Sequence, residues 1–334
     1  MLIPFDDFGG VGAPLHFAHA NGYPPRTYTP LLERLAEHYR IVAMRARPLW
    51  EPVTSGDLAS VTSGDLTSVT SGDVKSVTSG DVKSAASGDV KSAASGDSPV
   101  AAPDALSPAA FRDWTPLTAD LLRFLDERRA AGLTFPLIGV GHSLGGVSTL
   151  DAALQRPELF RALILIDPVI FRQRFLWLWE VLKGLGLGDR LHPLIPGTLR
   201  RRRVFASVDE MFARYRRAPV FSRIDDRGLR AYVEALVRPR PDGQVELTYP
   251  PEWEAAIYRH GPLNLWARLP QLKLPVLVVY GADSDTFRGP AARKLQRLLP
   301  QARLQPIPAT GHLVPLEQPA AVATACQAFL DELI

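Results

Sequence analysis

The chain has one cysteine in 334 residues, which excludes a disulfide framework and any metal site built on paired cysteines. Lysine is scarce as well: three of the six, Lys75, Lys83 and Lys91, fall in one repetitive segment, and arginine is the cation elsewhere. The net charge is only +3, scattered rather than clustered, so nucleic acid is not an expected partner. The one basic run, Arg200 to Arg203, reads as a solvated helix face. No stretch reaches the roughly 18 apolar residues of a membrane span, and the opening MLIPFDDFGG lacks the basic start and apolar core of a secretory leader. With Cys326 alone in an apolar C-terminal pattern, a cytoplasmic, reducing setting is expected.

Hydrophobic residues at 46% and charged residues at 22% suit a folded globular chain and leave ample apolar material for a core. One segment departs from this. From Val53 to Ser98 the sequence repeats every eight residues, as VTSGDLAS, VTSGDLTS, VTSGDVKS and AASGDVKS. Each copy offers one or two apolar positions among Ser and Gly, too few to offset the entropy of ordering, so the repeats are expected to form a disordered inserted loop. The evenly spaced Asp57, Asp65, Asp73, Asp81, Asp89 and Asp97 also admit a repetitive solenoid or calcium-site reading, which the same composition argues against.

Outside the repeats, short apolar runs alternate with helical periods, the pattern of a doubly wound, mostly parallel α/β sheet. Strands are expected at Leu15–Ala20, Arg40–Ala46, Phe135–Gly141, Ala162–Asp167, Val276–Tyr280 and Arg303–Ile307. Helices are expected at Tyr28–Tyr39, Pro116–Ala130, Leu144–Gln155, Pro290–Leu299 and from Pro319 onward. Between Val169 and Leu269 the alternation gives way to helical patterns rich in Trp, Phe, Leu and Arg, including Phe175, Trp177, Trp179, Phe212 and Tyr215. The expected organisation is therefore a core of 1–168 and 270–334, the repeat insertion at 53–98, and a helical cap at 169–269 over the carboxyl ends of the strands.

The motif that carries chemistry is Gly141-His142-Ser143-Leu144-Gly145, between an apolar strand and a helix. A serine on so tight a turn takes a strained backbone, and glycine two residues to either side removes the steric collision. Its hydroxyl needs a positioned base, and the base an orienting carboxylate. His312, in the loop after the last strand, is the candidate base. The strand Val276–Tyr280 runs into Gly281-Ala282-Asp283-Ser284-Asp285-Thr286-Phe287, where Asp285 is the preferred acid and Asp283 a turn residue. Asp167, in Ile166-Asp167-Pro168, is a third carboxylate at a strand end. The main-chain N–H of Leu144 is one oxyanion donor. The loop His19-Ala20-Asn21-Gly22-Tyr23-Pro24 is expected to supply the other, with the Tyr23 N–H preferred and Asn21 orienting the loop or offering its side-chain amide; His19 and Ala20 stay open.

GHSLGG, GADSDTF and GHLVPLEQP, in that order, resemble the α/β-hydrolase family over nearly everything outside the repeats. The resemblance implies an eight-stranded sheet, a substrate pocket between core and cap, and a nucleophile, acid and histidine at the positions above. The chain departs from the family where it reads HANGYP in place of the usual His-Gly loop, which touches only the second oxyanion donor. The function expected is hydrolysis of a carboxylic ester of a small to medium hydrophobic substrate through an acyl-enzyme. Carbon–carbon bond hydrolysis, lactone hydrolysis, acyl transfer and perhydrolysis use the same residues, and a slow-turnover ligand-binding receptor is the alternative from another class. A serine at 143 argues against the dehalogenases and epoxide hydrolases of the family, whose nucleophile is aspartate. No cofactor is expected: Gly184-Leu185-Gly186-Leu187-Gly188 follows no strand and is no nucleotide fingerprint. The expected partner is a small-molecule substrate.

Overall fold

The computed structural model describes residues 2–50, 106–170, 173–185, 187–261, 263–287 and 289–333. The octapeptide repeats, with everything expected of them, lie outside the described residues. Residues 1–50 and 106–334 form one compact unit.

The central sheet is built on strands whose apolar runs are buried on both faces, as parallel strands under helices must be. In chain order they are β1 (Phe5–Gly9), β2 (Ala13–Ala18), β3 (Tyr39–Met44), β4 (Leu137–His142) and β5 (Phe160–Ile166). After β5 come three short strands, β6 (Val204–Phe205), β7 (Val237–Pro239) and β8 (Val245–Leu247), then β9 (Val276–Gly281) and β10 (Arg303–Ile307). Among the described residues seven strands make the main sheet, in the order β1-β3-β2-β4-β5-β9-β10, where the resemblance implies eight. Only β1 runs antiparallel to its neighbour. The β1 pairing is absent from the sequence reading because FDDFG has no apolar run, its Asp6 being buried against Arg26 and Arg45.

All six residues of β4 are buried, and ten of the twelve in the helix Leu144–Gln155 that follows. This strand and helix occupy the middle of the molecule, so their junction is held from every side. Each large aliphatic side chain buried here, such as Ile138, Leu150 or Leu163, contributes about 1.5–3 kcal/mol.

The segment between β5 and β9 carries the expected helices, among them Val208–Arg216, Asp226–Ala235 and Pro251–His260. It also holds a three-stranded antiparallel sheet, β6-β8-β7, which two- and three-residue strands cannot signal by periodicity. Phe205, Met211, Leu229, Tyr249 and Trp253 of this segment belong to the same apolar cluster as the main sheet. The arginine run is exposed at Arg200, Arg202 and Arg203, but residues 201–203 lie in a loop and not on a helix, where Arg201, Arg202 and Arg203 pair with Glu254, Glu210 and Glu252.

Candidate active site

Ser143 sits at the turn between β4 and the helix Leu144–Gln155 with φ +54° and ψ −115°, a left-handed backbone that a β-substituted residue adopts only when its surroundings impose it. A Cβ on Gly145 would lie 2.1 Å from the Ala18 carbonyl oxygen, and one on Gly141 would lie 2.4 Å from that of Gly145. The two glycines thus let strand, turn and helix close on one another. The Ser143 N–H donates to Ile166 O at 2.9 Å, tying the turn to the end of β5.

His312 follows β10 in a loop drawn against the end of β9, where a Cβ on Gly281 would collide with the main chain of Thr310 and Gly311. Glu317 holds this loop by accepting from the Gly311 N–H at 2.7 Å. Burial pushes the Glu317 carboxyl above its ordinary range. The His312 Nε2 is 3.0 Å from Ser143 Oγ, and its Nδ1 is 2.9 Å from Asp167 Oδ1. A carboxylate accepts, so Nδ1 carries the proton and Nε2 is left to accept from the serine hydroxyl. This is the tautomer in which the ring can take a proton from Ser143.

The carboxylate at His312 is therefore Asp167, and the preference for Asp285 is corrected. Asp167 is fully buried, and accepts also from the Ser284 hydroxyl at 2.7 Å and the Gly281 N–H at 3.0 Å. Asp285 is exposed and accepts from the Thr286 hydroxyl at 3.2 Å, while Asp283 pairs with Arg223. The physical reason lies in the register. β5 and β9 run parallel with Ile166 level with Val279, so the first residue past β5 meets the loop after β9 directly, whereas Asp285 lies four residues beyond its strand. A carboxylate placed directly after a buried strand, with no solvent of its own, was the available signal. Ser284, which braces Asp167, and Glu317 carried none.

The loop after β2 also differs from expectation. The Tyr23 N–H donates to Ala20 O at 3.2 Å, closing a turn, so it is not the oxyanion donor. The Asn21 side chain is engaged at both ends: its amide donates to the Glu254 carbonyl at 3.0 Å, and its oxygen accepts from Tyr249 at 2.9 Å. The loop is anchored by His19, which donates from Nδ1 to Ala20 O at 2.8 Å and accepts at Nε2 from the Ala46 N–H at 3.0 Å. Burial lowers the His19 pKa to about 4, keeping it neutral in that role. Gly22, at φ +77°, passes so close to the Glu254 carboxylate that a Cβ would meet it at 2.9 Å. Leu144, the first helical residue, has a main-chain N–H beyond the reach of any intrahelical acceptor.

Among the described residues no group of three or more His, Cys, Asp or Glu side chains is placed to hold a metal ion. No helix among them is long and apolar enough to cross a membrane.

A central parallel sheet, a strained serine at a strand-to-helix turn and a histidine brought over the strand ends together define the α/β-hydrolase class. The model of the Alpha/beta hydrolase family matches residues 17–325, and the chain belongs to that family. Over 237 residues it is 31% identical to the polyketide synthase ThaQ of Burkholderia thailandensis, covering 68% of this chain but only 10% of that much longer one. In structure it is similar to E-2-(acetamidomethylene)succinate hydrolase, with TM-score 0.65, 18% identity, and 98% and 94% of the two chains covered. It is similar as well to the thioesterase domain from the curacin biosynthetic pathway, with TM-score 0.58, 17% identity and the same coverage. These two likenesses are of fold.

Proposed function

We propose that the protein is a serine hydrolase that cleaves a carboxylic ester through an acyl-enzyme on Ser143. The observation that carries the reading is the continuous hydrogen-bonded array from Ser143 Oγ through His312 to the buried Asp167. As Ser143 Oγ attacks the ester carbonyl, His312 Nε2 takes its proton, and Asp167 stabilises the imidazolium. The main-chain N–H groups of Leu144 and Asn21 receive the developing oxyanion, since the Tyr23 amide is committed to the Ala20 carbonyl. The imidazolium then protonates the departing alkoxide. Water, activated by the same nitrogen, releases the acid.

The segment 169–269 acts as a cap that shields the acyl-enzyme from bulk water, and its aromatic content favours a small to medium hydrophobic substrate. Across a series of p-nitrophenyl esters, wild type is expected to turn over with kcat/KM rising with acyl length until the pocket is filled, and Ser143→Ala to be inactive. Equal kcat in Ser143→Ala would refute the assignment.

A second reading, hydrolysis of an acyl thioester, is favoured by the likeness to a polyketide synthase and to a thioesterase domain. The same residues perform it, with a thiolate in place of the alkoxide. Matched oxygen and thiol esters of one acyl group decide between them: a kcat/KM for the thioester more than about tenfold above that for the oxygen ester, after allowance for their uncatalysed rates, favours the second reading.

A further inference from the structure

Behind Ser143 lies a second hydrogen-bonded array that the proposed reaction does not itself use. His142, the residue before the nucleophile, and Tyr28 are both fully buried. His142 Nε2 lies 2.9 Å from the His312 carbonyl oxygen, and Nδ1 lies 2.8 Å from the Tyr28 hydroxyl. The Tyr28 oxygen in turn accepts from the Ala20 N–H at 3.2 Å. The chemistry of the end groups fixes every proton between them. A carbonyl oxygen only accepts, so His142 donates from Nε2. Its Nδ1 is then bare in the neutral ring and accepts the Tyr28 hydroxyl proton, leaving the tyrosine oxygen to take the amide of Ala20. Burial and the neighbouring His312 hold the His142 pKa well below the ordinary histidine value, so the ring stays neutral and the direction of the bonds is kept.

The two ends of this array are the parts whose spacing matters for the reaction. One is the main chain of His312 itself. The other is the peptide between His19 and Ala20, immediately before Asn21, in the loop to which the second oxyanion donor is assigned. Between them the array passes through the residue bonded to Ser143. We propose that Tyr28 and His142 are positioning residues, whose directional hydrogen bonds set the base loop and the oxyanion loop at a fixed separation across Ser143. This rests on the reading of Ser143 as nucleophile. The interior is close-packed enough to keep the residues nearby without these bonds, but not to fix two loops to the fraction of an ångström that acyl transfer requires.

The test is the second-order rate at which a fluorophosphonate labels Ser143 in wild type, Tyr28→Phe, His142→Leu, His142→Gln and the Tyr28→Phe/His142→Leu double variant. It is followed by intact mass well below each variant's Tm. Tyr28→Phe keeps the ring and removes only the hydroxyl; labelling is expected to slow about tenfold, with KM for a p-nitrophenyl ester within about twofold of wild type. His142→Leu is expected to slow labelling by a similar factor. The double variant is expected to be no slower than the slower single, because either change breaks the same array. His142→Gln, whose amide donates toward the His312 carbonyl, should regain part of what His142→Leu loses. Wild-type labelling rates in Tyr28→Phe, with only Tm lowered, would overturn the inference and leave the nucleophile standing, as would losses that simply multiply in the double variant. Failure of wild type itself to label at Ser143 would overturn the reading of the site and this inference with it.

Discussion

Asp167, and not Asp285, is the carboxylate that meets His312. It accepts from His312, Ser284 and the Gly281 amide, whereas Asp285 sits exposed beside Thr286. Asp167→Asn replaces the acceptor facing His312 with a group that also donates, and is expected to lower kcat about 10³- to 10⁴-fold by favouring the wrong tautomer. Asp285→Asn is expected to leave kcat within about twofold, and steady-state ester hydrolysis by the two purified variants checks both. Ser143 and His312 were legible in the sequence because each stands in a short motif whose glycines have one steric purpose. The acid was not, because three aspartates stand at or near the ends of two adjacent strands, and only the register between β5 and β9 shows which one meets the histidine. The loop HANGYP was no more legible: that its Tyr23 amide is engaged follows only from a turn closed on Ala20 O.

Among the elements, the junction of β4 with the helix Leu144–Gln155 is the most constrained. The order of strands and helices was readable from apolar runs and helical periods, and the ends of the helix Leu144–Gln155 and of β10 coincide with the reading. β1 and the three strands β6, β7 and β8 were not, since a polar edge strand and pairs of two or three residues leave no periodic trace. At the β4 junction the contact is between main chains, so no side chain can yield. Gly145→Ala would set a methyl group 2.1 Å from Ala18 O, and the helix must move to accept it. Its expected outcome is a Tm lower by several degrees, for a cost of at least about 1–3 kcal/mol, together with loss of ester turnover. A Gly145→Ala enzyme with wild-type Tm and kcat would show that the junction is looser than a 2.1 Å approach to Ala18 O allows.

For the whole molecule, the family was implied by the order of three motifs and the parallel sheet by the alternation of apolar runs with helical periods, while the packing of 169–269 onto the core rests on contacts remote in sequence, such as Asn21 with Glu254. The folded state also shelters three neutral histidines. Burial lowers His16 to about 3 and His19 to about 4, and holds His142 well below its ordinary value. The unfolded chain binds protons at these side chains near pH 6.5, the folded chain only at much lower pH, so their contribution is intact above 6.5 and lost as pH falls toward the folded values. Stability is expected to fall as pH drops from about 6 toward 4, on the order of 1 kcal/mol per pH unit for each of His16 and His19, with His142 acting in the same direction. Urea denaturation at pH 7.5, 5.5 and 4.5 measures it, and a midpoint unchanged across that range would contradict the burial of these rings.

Acylation of Ser143 through His312 is measured by intact mass after brief exposure to a p-nitrophenyl ester and an acid quench. Wild type is expected to gain the mass of one acyl group, located on the peptide containing Ser143, while Ser143→Ala gains none and His312→Ala acylates at a small fraction of the wild-type rate. Turnover of the ester with the acyl group found elsewhere, or with the same adduct in Ser143→Ala, would contradict it.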